Sequence, residues 1–355
     1  MIAEAKSGPA PQNPFDIAAL DAYLREHIAG FEGPIQLTRF KGGQSNPTYL
    51  LGTPQRQYVM RCKPGPVAQL LPSAHAVERE FRLQAALAGS DVPVAGMHCL
   101  CEDESVIGRA FYVMDFVEGR IFWEQSLPGT EPAERAALYD ELNRVIAALH
   151  GVDFAALGLA DYGKAGNYFS RQVDRWTRQY RASETGSIRA MDRLIEWLPQ
   201  HIPQEERPQV SLVHGDYRLD NVIFHSTEPR ILAVIDWELS TLGHPLADFA
   251  YHLMSWHIVP NVAMRGLAGI DLDALGIPRE SAYIAAYERR MGRSAAGDWN
   301  YYLAYNLFRI AAILQGIAKR VQEGTTSSPQ AAEYGRQATP LAELGWRFAQ
   351  RAEQA

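Results

Sequence analysis

The chain has 355 residues, 47% of them hydrophobic, with 34 Lys and Arg against 41 Asp and Glu for a formal charge of −7. That length buries one large core or two modest ones, and the acidic balance argues against a general affinity for nucleic acid or an anionic membrane surface. No charged-then-apolar leader opens the sequence, no apolar run approaches the roughly 18 residues of a membrane helix, and only three cysteines occur, so a cytoplasmic protein is expected.

Residues 1–13 are rich in Ala, Pro, Gly and Ser and read as a flexible tail. Residues 15–28 show helical spacing through Leu20, Leu24 and Ile28. Strands are expected over 35–40, 47–51 and 58–62, then a Pro-rich link and a helix over 75–88. Two further strands, 96–101 and 109–117, complete a β-rich region spanning 14–117. Cys99 and Cys101 are too close for an ordinary disulfide. With His98 they match no zinc template, so they read as packing residues of an alternating strand. Lys41-Gly42-Gly43-Gln44-Ser45-Asn46 lies between the first two strands, where glycines let a backbone approach phosphate closely. It is neither a GxxxxGK[ST] loop nor a GxGxxG fingerprint, and a plain hairpin turn explains it equally well. Glu118-Gly119-Arg120 interrupts the strand pattern, and the remainder, 118–355, reads as mostly helical.

One stretch breaks the helical pattern. Apolar runs at 210–213, 222–224 and 231–235 are short, and Ser226, Thr227, Glu228 and Pro229 between the last two are turn formers, which predicts a β-hairpin. The first run ends at His214-Gly215-Asp216-Tyr217-Arg218-Leu219-Asp220-Asn221, and the third at Asp236-Trp237-Glu238. A hairpin turning near Thr227 sets Asp236 opposite 219–221. Asn221 and Asp236 then offer one amide and one carboxylate oxygen, which suits Mg²⁺, a hard ion that takes few protein ligands. Asp216 can accept the proton of an attacking hydroxyl, with Arg218 beside it. Phosphoryl transfer asks little more of a protein than such positioning and charge neutralisation.

HGDxxxxN followed by DxE resembles the signature of the aminoglycoside phosphotransferase and choline kinase-like enzymes. GGQSNPTY, LLPSAHAVEREF and HGDYRLDNVIF more closely resemble the phosphotransferase domain that some longer chains carry fused to an acyl-CoA dehydrogenase. The resemblance runs from about Phe31 to the C-terminus. It implies an α+β, two-lobed, protein-kinase-like fold, with a small β-rich N-lobe over 14–117 and a larger helical C-lobe over 118–355. It also implies ATP and Mg²⁺ as cofactors and a small-molecule hydroxyl as acceptor. In the N-lobe the Gly42–Ser45 turn would cover the phosphates. Arg61 and Lys63 are both candidates to reach them; the resemblance favours Arg61, with Glu80, not Glu78, as its acidic partner. Met114-Asp115-Phe116 looks like the hinge that meets adenine, by its position between the lobes, although an ordinary core strand explains its apolar character just as well. Asp248 would brace the catalytic loop through backbone N–H groups or His214, although helix capping accounts for it nearly as well.

The acceptor is less legible. Arg171, Arg175 and Arg178 share one helical face and suggest an anionic substrate portion, such as a carboxylate or a CoA phosphate; a solvated face paired with acids is the plainer reading. Asn306 and Arg309, in an aromatic-rich helix, and Glu238, beside the proposed metal site, complete the candidate substrate set. No long activation segment or Ala-Pro-Glu follows Asp236, which disfavours a protein substrate. The basic face, and the resemblance to the domain fused to acyl-CoA dehydrogenases, imply a hydroxyacid or hydroxyacyl-CoA acceptor. The alternatives are an aminoglycoside or choline-type phosphotransferase, or a non-catalytic nucleotide-binding module. Oligomeric state is not legible.

Overall fold

Asp16 starts the first helix: its carboxylate accepts the N–H groups of Ala18 and Ala19 at 2.9 and 3.1 Å, satisfying donors that a helix start leaves open. The structure, a computed structural model, describes residues 15–40, 46–64, 76–164, 166–204, 209–261, 263–292, 294, 298–326 and 330–354. The chain divides into two compact units. One takes residues up to 121 together with 155–159 and 221–240; the other takes 122–154, 160–220 and 241–355. The hairpin that the sequence assigns to the helical region thus belongs to the first unit.

The first unit holds α1 (Ile17–His27), β1 (Gln36–Arg39), β2 (Thr48–Gly52), β3 (Gln57–Cys62), α2 (Val77–Leu87), β4 (Met97–Cys101) and β5 (Phe111–Asp115). The strands form one antiparallel sheet in the order β1-β2-β3-β5-β4. Strand alternation gives the sheet two apolar faces. Leu20 and Leu24 of α1 pack with Tyr49, Leu51, Met60, Phe111 and Val113 on one, while Val77 of α2 packs with Tyr112 and Ala110 on the other. Cys62, Cys99 and Cys101 are buried and unbridged, and burial pushes the Cys99 thiol up to about 12.

The second unit begins with α3 (Pro132–Gly151), α4 (Tyr168–Ala182) and α5 (Arg189–Trp197), and then β6 (Ser211–Val213). The hairpin of the first unit follows as β7 (Val222–Phe224) and β8 (Ile231–Val234). The second unit resumes with β9 (Thr241–Gly243), α6 (Pro245–Leu253), α7 (Leu272–Leu275), α8 (Glu280–Met291), α9 (Trp299–Gln322), α10 (Ala331–Arg336) and α11 (Ala338–Ala352). The sequence reading contains no β9. The structure pairs it antiparallel with β6, Leu212 opposite Leu242. Gly243 permits this, because a Cβ there would lie 2.8 Å from Val213 Cγ2 and 2.7 Å from the Tyr168 ring. Among the described residues no helix is long and apolar enough to cross a membrane.

Candidate active site

In the first unit the hairpin forms as its turn residues predict. Val222 pairs with Val234, and the Ile235 N–H donates to the Asn221 carbonyl at 2.9 Å, so Asp236 follows directly after the residue bonded to Asn221. Asp236 sits in the left-handed region, φ +67° and ψ 57°. Asp tolerates that region better than most residues, yet it costs on the order of 1 kcal/mol, and strain held in place by its surroundings is a mark of functional positions. The surroundings here are firm: Trp237 is 1% exposed and its Nε1 donates to Val234 O at 2.9 Å.

Arg61 of β3 is the centre of charge. Its Nη2 lies 2.8 Å from Asp236 Oδ1 and 3.0 Å from Glu238 Oε2, and its Nε lies 3.2 Å from Glu80 Oε2. Burial would push the Arg61 guanidinium down, but the Glu80 carboxylate, and after it Asp236 and Glu238, outweigh burial and hold it above its usual value. Glu80 is buried on α2 and is held by Asn46 Nδ2 at 2.9 Å and Tyr112 Oη at 3.1 Å besides Arg61. Lys63 lies apart from this cluster, 3.0 Å from Glu78 Oε2. The two candidate cations and two candidate acids of the sequence therefore sort into separate pairs. Glu238 is partly buried and shares Arg61.

The proposed hinge narrows. Met114 lies in the ladder, opposite Val59 and Met97, and the Asp115 N–H donates to Gly96 O at 2.8 Å. The Asp115 carboxylate is taken by Arg56 and by His98 Nε2, the latter at 2.7 Å. Phe116 is the first residue past the strand. Gly42, Gly43, Gln44 and Ser45 lie outside the described residues.

In the second unit the loop after β6 is held by side chains of three helices. Asp248 of α6 accepts the His214 and Gly215 N–H groups, each at 2.8 Å. His150 of α3 sets Asp248: its Nε2 lies 3.2 Å from Asp248 Oδ2 and its Nδ1 2.7 Å from Tyr287 Oη, which the neutral tautomer with hydrogen on Nε2 satisfies. Burial would raise the Asp248 carboxyl, but His150 and the His214 N–H hold it below its usual value. Arg309 of α9 donates to Gly215 O at 2.6 Å. Gly215 has φ +82°, a turn that L side chains rarely adopt. Asp216 follows, with Tyr251 Oη donating to its Oδ1 and Arg218 Nε 3.3 Å from the same oxygen. Arg218 also reaches Asp220 at 3.1 Å. Burial raises the Asp220 carboxyl, and Arg218 draws it back.

The acceptor candidates fare differently. Arg309 and Asn306 are buried, and Asn306 donates to Ala247 O and Tyr302 O at 2.9 and 3.0 Å, so both are tied into the framework. Arg171 turns back to the carbonyls of Gly166 and Lys164, and the Arg175 guanidinium lies over the Trp176 ring at 5.2 Å. Arg178, like Arg175, is exposed. A cavity of about 350 Å³ opens in this unit beside Lys164, Tyr168, Gln209 and His244, but none of Asp216, Arg218 or Asn221 lines it. Tyr251, His150 and Tyr287 were not singled out as site residues from the sequence, and their only signal is aromatic density in helices that reads as core.

The phosphotransferase enzyme family matches residues 36–283. Acyl-CoA dehydrogenase family member 10 of Mus musculus is 48% identical over 333 residues, covering 93% of this chain and 31% of its own length. Acyl-CoA dehydrogenase family member 11 of Rattus norvegicus is 42% identical over 347 residues, covering 96% and 44%. The chain thus spans less than half the length of these curated relatives. A crystal structure from Ralstonia eutropha, assigned to the aminoglycoside phosphotransferases, is 62% identical with a TM-score of 0.88 and covers 95% of this chain and 99% of its own. An aminoglycoside phosphotransferase with ADP and hygromycin B (15% identical, TM-score 0.59, covering 93% and 98%) and a Plasmodium vivax ethanolamine kinase (14%, 0.59, 92% and 88%) share the fold. The α+β architecture, a sheet-bearing N-terminal region and a helical C-terminal one, is that of kinase-like phosphotransferases.

Proposed function

The chain belongs to the phosphotransferase enzyme family, and we propose that it transfers the γ-phosphoryl group of ATP to the hydroxyl of a small acceptor. The observation that supports this most is the Arg61 cluster, in which one guanidinium joins the buried Glu80 to Asp236; on this reading it would be the phosphate-binding cation, its anchor and a metal-binding carboxylate. The donor set fits Mg²⁺. Asn221 and Asp236 supply one amide and one carboxylate, and no cluster of three His, Cys, Asp or Glu exists among the described residues that would favour a metal held by protein alone. When bound there, Mg²⁺ would offset charge developing on the phosphate oxygens.

Arg61 holds the α/β-phosphates as a fork, and Glu80 keeps its planar head in place. Gly42 to Ser45, which lie outside the described residues, are our candidates to meet the phosphates, and the backbone at Phe116 would meet the base. Asp216 takes the acceptor's proton as the new O–P bond forms and the bond to ADP breaks, while Arg218 neutralises charge beside it. Bound ADP in a fold neighbour supports the nucleotide part of this reading. The acceptor we favour is a hydroxyacid or hydroxyacyl-CoA, on the names of the long relatives alone. Amino sugars and ethanolamine-type alcohols, the ligand class of the fold neighbours, form the second reading. Three unbridged cysteines suit a reducing compartment such as the cytoplasm.

ADP release in the presence of Mg²⁺ and ATP, screened over hydroxyacids, hydroxyacyl-CoA thioesters, amino sugars and ethanolamine, tests the proposal. Stimulation by the acyl compounds, lost in Asp216→Ala, is expected. Turnover of amino sugars alone overturns the acceptor, and nucleotide binding with no turnover at all leaves a non-catalytic module.

A further inference from the structure

Tyr251 occupies a place that the loop's own sequence does not explain. It lies on α6, one turn past Asp248, and is 4% exposed, yet its hydroxyl donates to Asp216 Oδ1. Arg309 lies over its ring, with the guanidinium carbon 4.9 Å from the centroid, and over the Trp176 ring on α4 at 5.4 Å. The same Arg309 donates to the Gly215 carbonyl at 2.6 Å. One cation therefore fixes both the ring that carries the donor and the peptide that carries the acceptor. Burial, and after it the charge of Asp216, push the Tyr251 hydroxyl well above its usual value, so it is a donor at any working pH.

We propose that Tyr251 is a positioning residue for phosphoryl transfer, its hydroxyl setting the rotation of the Asp216 carboxylate while Arg309 locks the ring in place. A carboxylate at the tip of a two-torsion side chain otherwise samples several orientations, of which few present an oxygen lone pair to an incoming hydroxyl. Tyr251 and Arg218 both address Oδ1. Phe at 251 keeps the ring, the stacking and the burial, and removes only this hydrogen bond. The inference rests on the reading of Asp216 as the base.

Two cycles on the full chain test it, using wild type, Tyr251→Phe, Asp216→Ala and the double variant. In the first, ADP release from Mg-ATP is measured with water or any active compound of the screen as acceptor. Tyr251→Phe is expected to lower kcat roughly 10- to 100-fold while KM for ATP stays within about twofold, and to add less than about twofold in the Asp216→Ala background. An equal loss in both backgrounds, or a loss seen only in KM, would show a general structural role and overturn the proposal. The second cycle uses urea unfolding and needs no turnover. A hydrogen bond to a charged group couples the two residues by roughly tenfold or more in the unfolding constant; additive effects would overturn the contact itself. Wild-type turnover untouched by Asp216→Ala would instead remove the base reading, and the positioning role with it.

Discussion

Arg61 carries three carboxylates on one guanidinium, and only an arginine has the fork to do so. A lysine there is a point charge on a flexible stem and satisfies Glu80 or Asp236, not both. Arg61→Lys is therefore expected to keep the fold but weaken Mg-ATP binding about tenfold or more, read by calorimetric titration. Arg61→Ala leaves Glu80 buried without its cation and is expected to cost about 3 kcal/mol in urea unfolding. Asp216→Ala and Asp236→Ala should separate on the same instruments: the first lowers kcat with ATP affinity kept, and the second removes Mg²⁺-dependent nucleotide binding. Equal effects of the two on affinity would contradict the division of labour. These residues differ in how far sequence exposes them. Asp216, Asn221 and Asp236 stand at spacings within one local segment, so their chemistry is visible in the run itself. Choosing Glu80 over Glu78 needed either the resemblance or the coordinates, because both acids fall in one helical turn.

Among elements, the β7–β8 hairpin was predicted with its partners because turn chemistry is local: Ser226 to Pro229 define it without help. β9 was not, since Thr241-Leu242-Gly243 is three residues long and has no period to detect. The links from α3 and α9 to the 214–216 loop were illegible for a related reason, whereas the resemblance had already pointed to Asp248 of α6. Contacts such as His150 to Asp248 span 98 positions and leave no local pattern; Asn306 and Arg309, read as candidate pocket walls, turn out to be part of that scaffold. The hairpin's attachment is also specific. Arg120 and Phe224 exchange backbone hydrogen bonds at 2.7 and 2.8 Å, and a Cβ on Gly119 would lie 2.2 Å from Phe224 O. A carbonyl already bonded cannot retreat. Gly119→Ala is expected to lose about 2 kcal/mol of stability, visible as a lower melting temperature. An unchanged melting temperature would mean that the bridge is not held.

For the whole molecule, His252 sets an acid limit. Burial lowers it to about 4, with Tyr283 Oη 2.9 Å from its Nε2. An unfolded histidine titrates near 6.5, so below that pH the unfolded chain binds a proton that the native one refuses. The His252 contribution is complete above pH 6.5 and is expected to fall by about 3 kcal/mol on descending to pH 4, opposed by the buried Asp220 and Glu80 carboxyls, whose raised values favour the native state as they protonate. Asp248, depressed below its usual value, does not add to this window and acts only at lower pH. Urea midpoints across pH 4 to 7.5 check it: His252→Gln should flatten the slope, and the same slope in variant and wild type would refute it. The division into units carries a different consequence. The backbone passes from one to the other at 121/122, 154/155, 159/160, 220/221 and 240/241. During synthesis the sheet thus emerges long before Asp236 and Glu238, and among the described residues Glu80 is the early counter-charge that Arg61 keeps. A product cut at 121 carries the strands without the β7–β8 hairpin of their own unit, so the first third of this protein is not a smaller protein but an unfinished one.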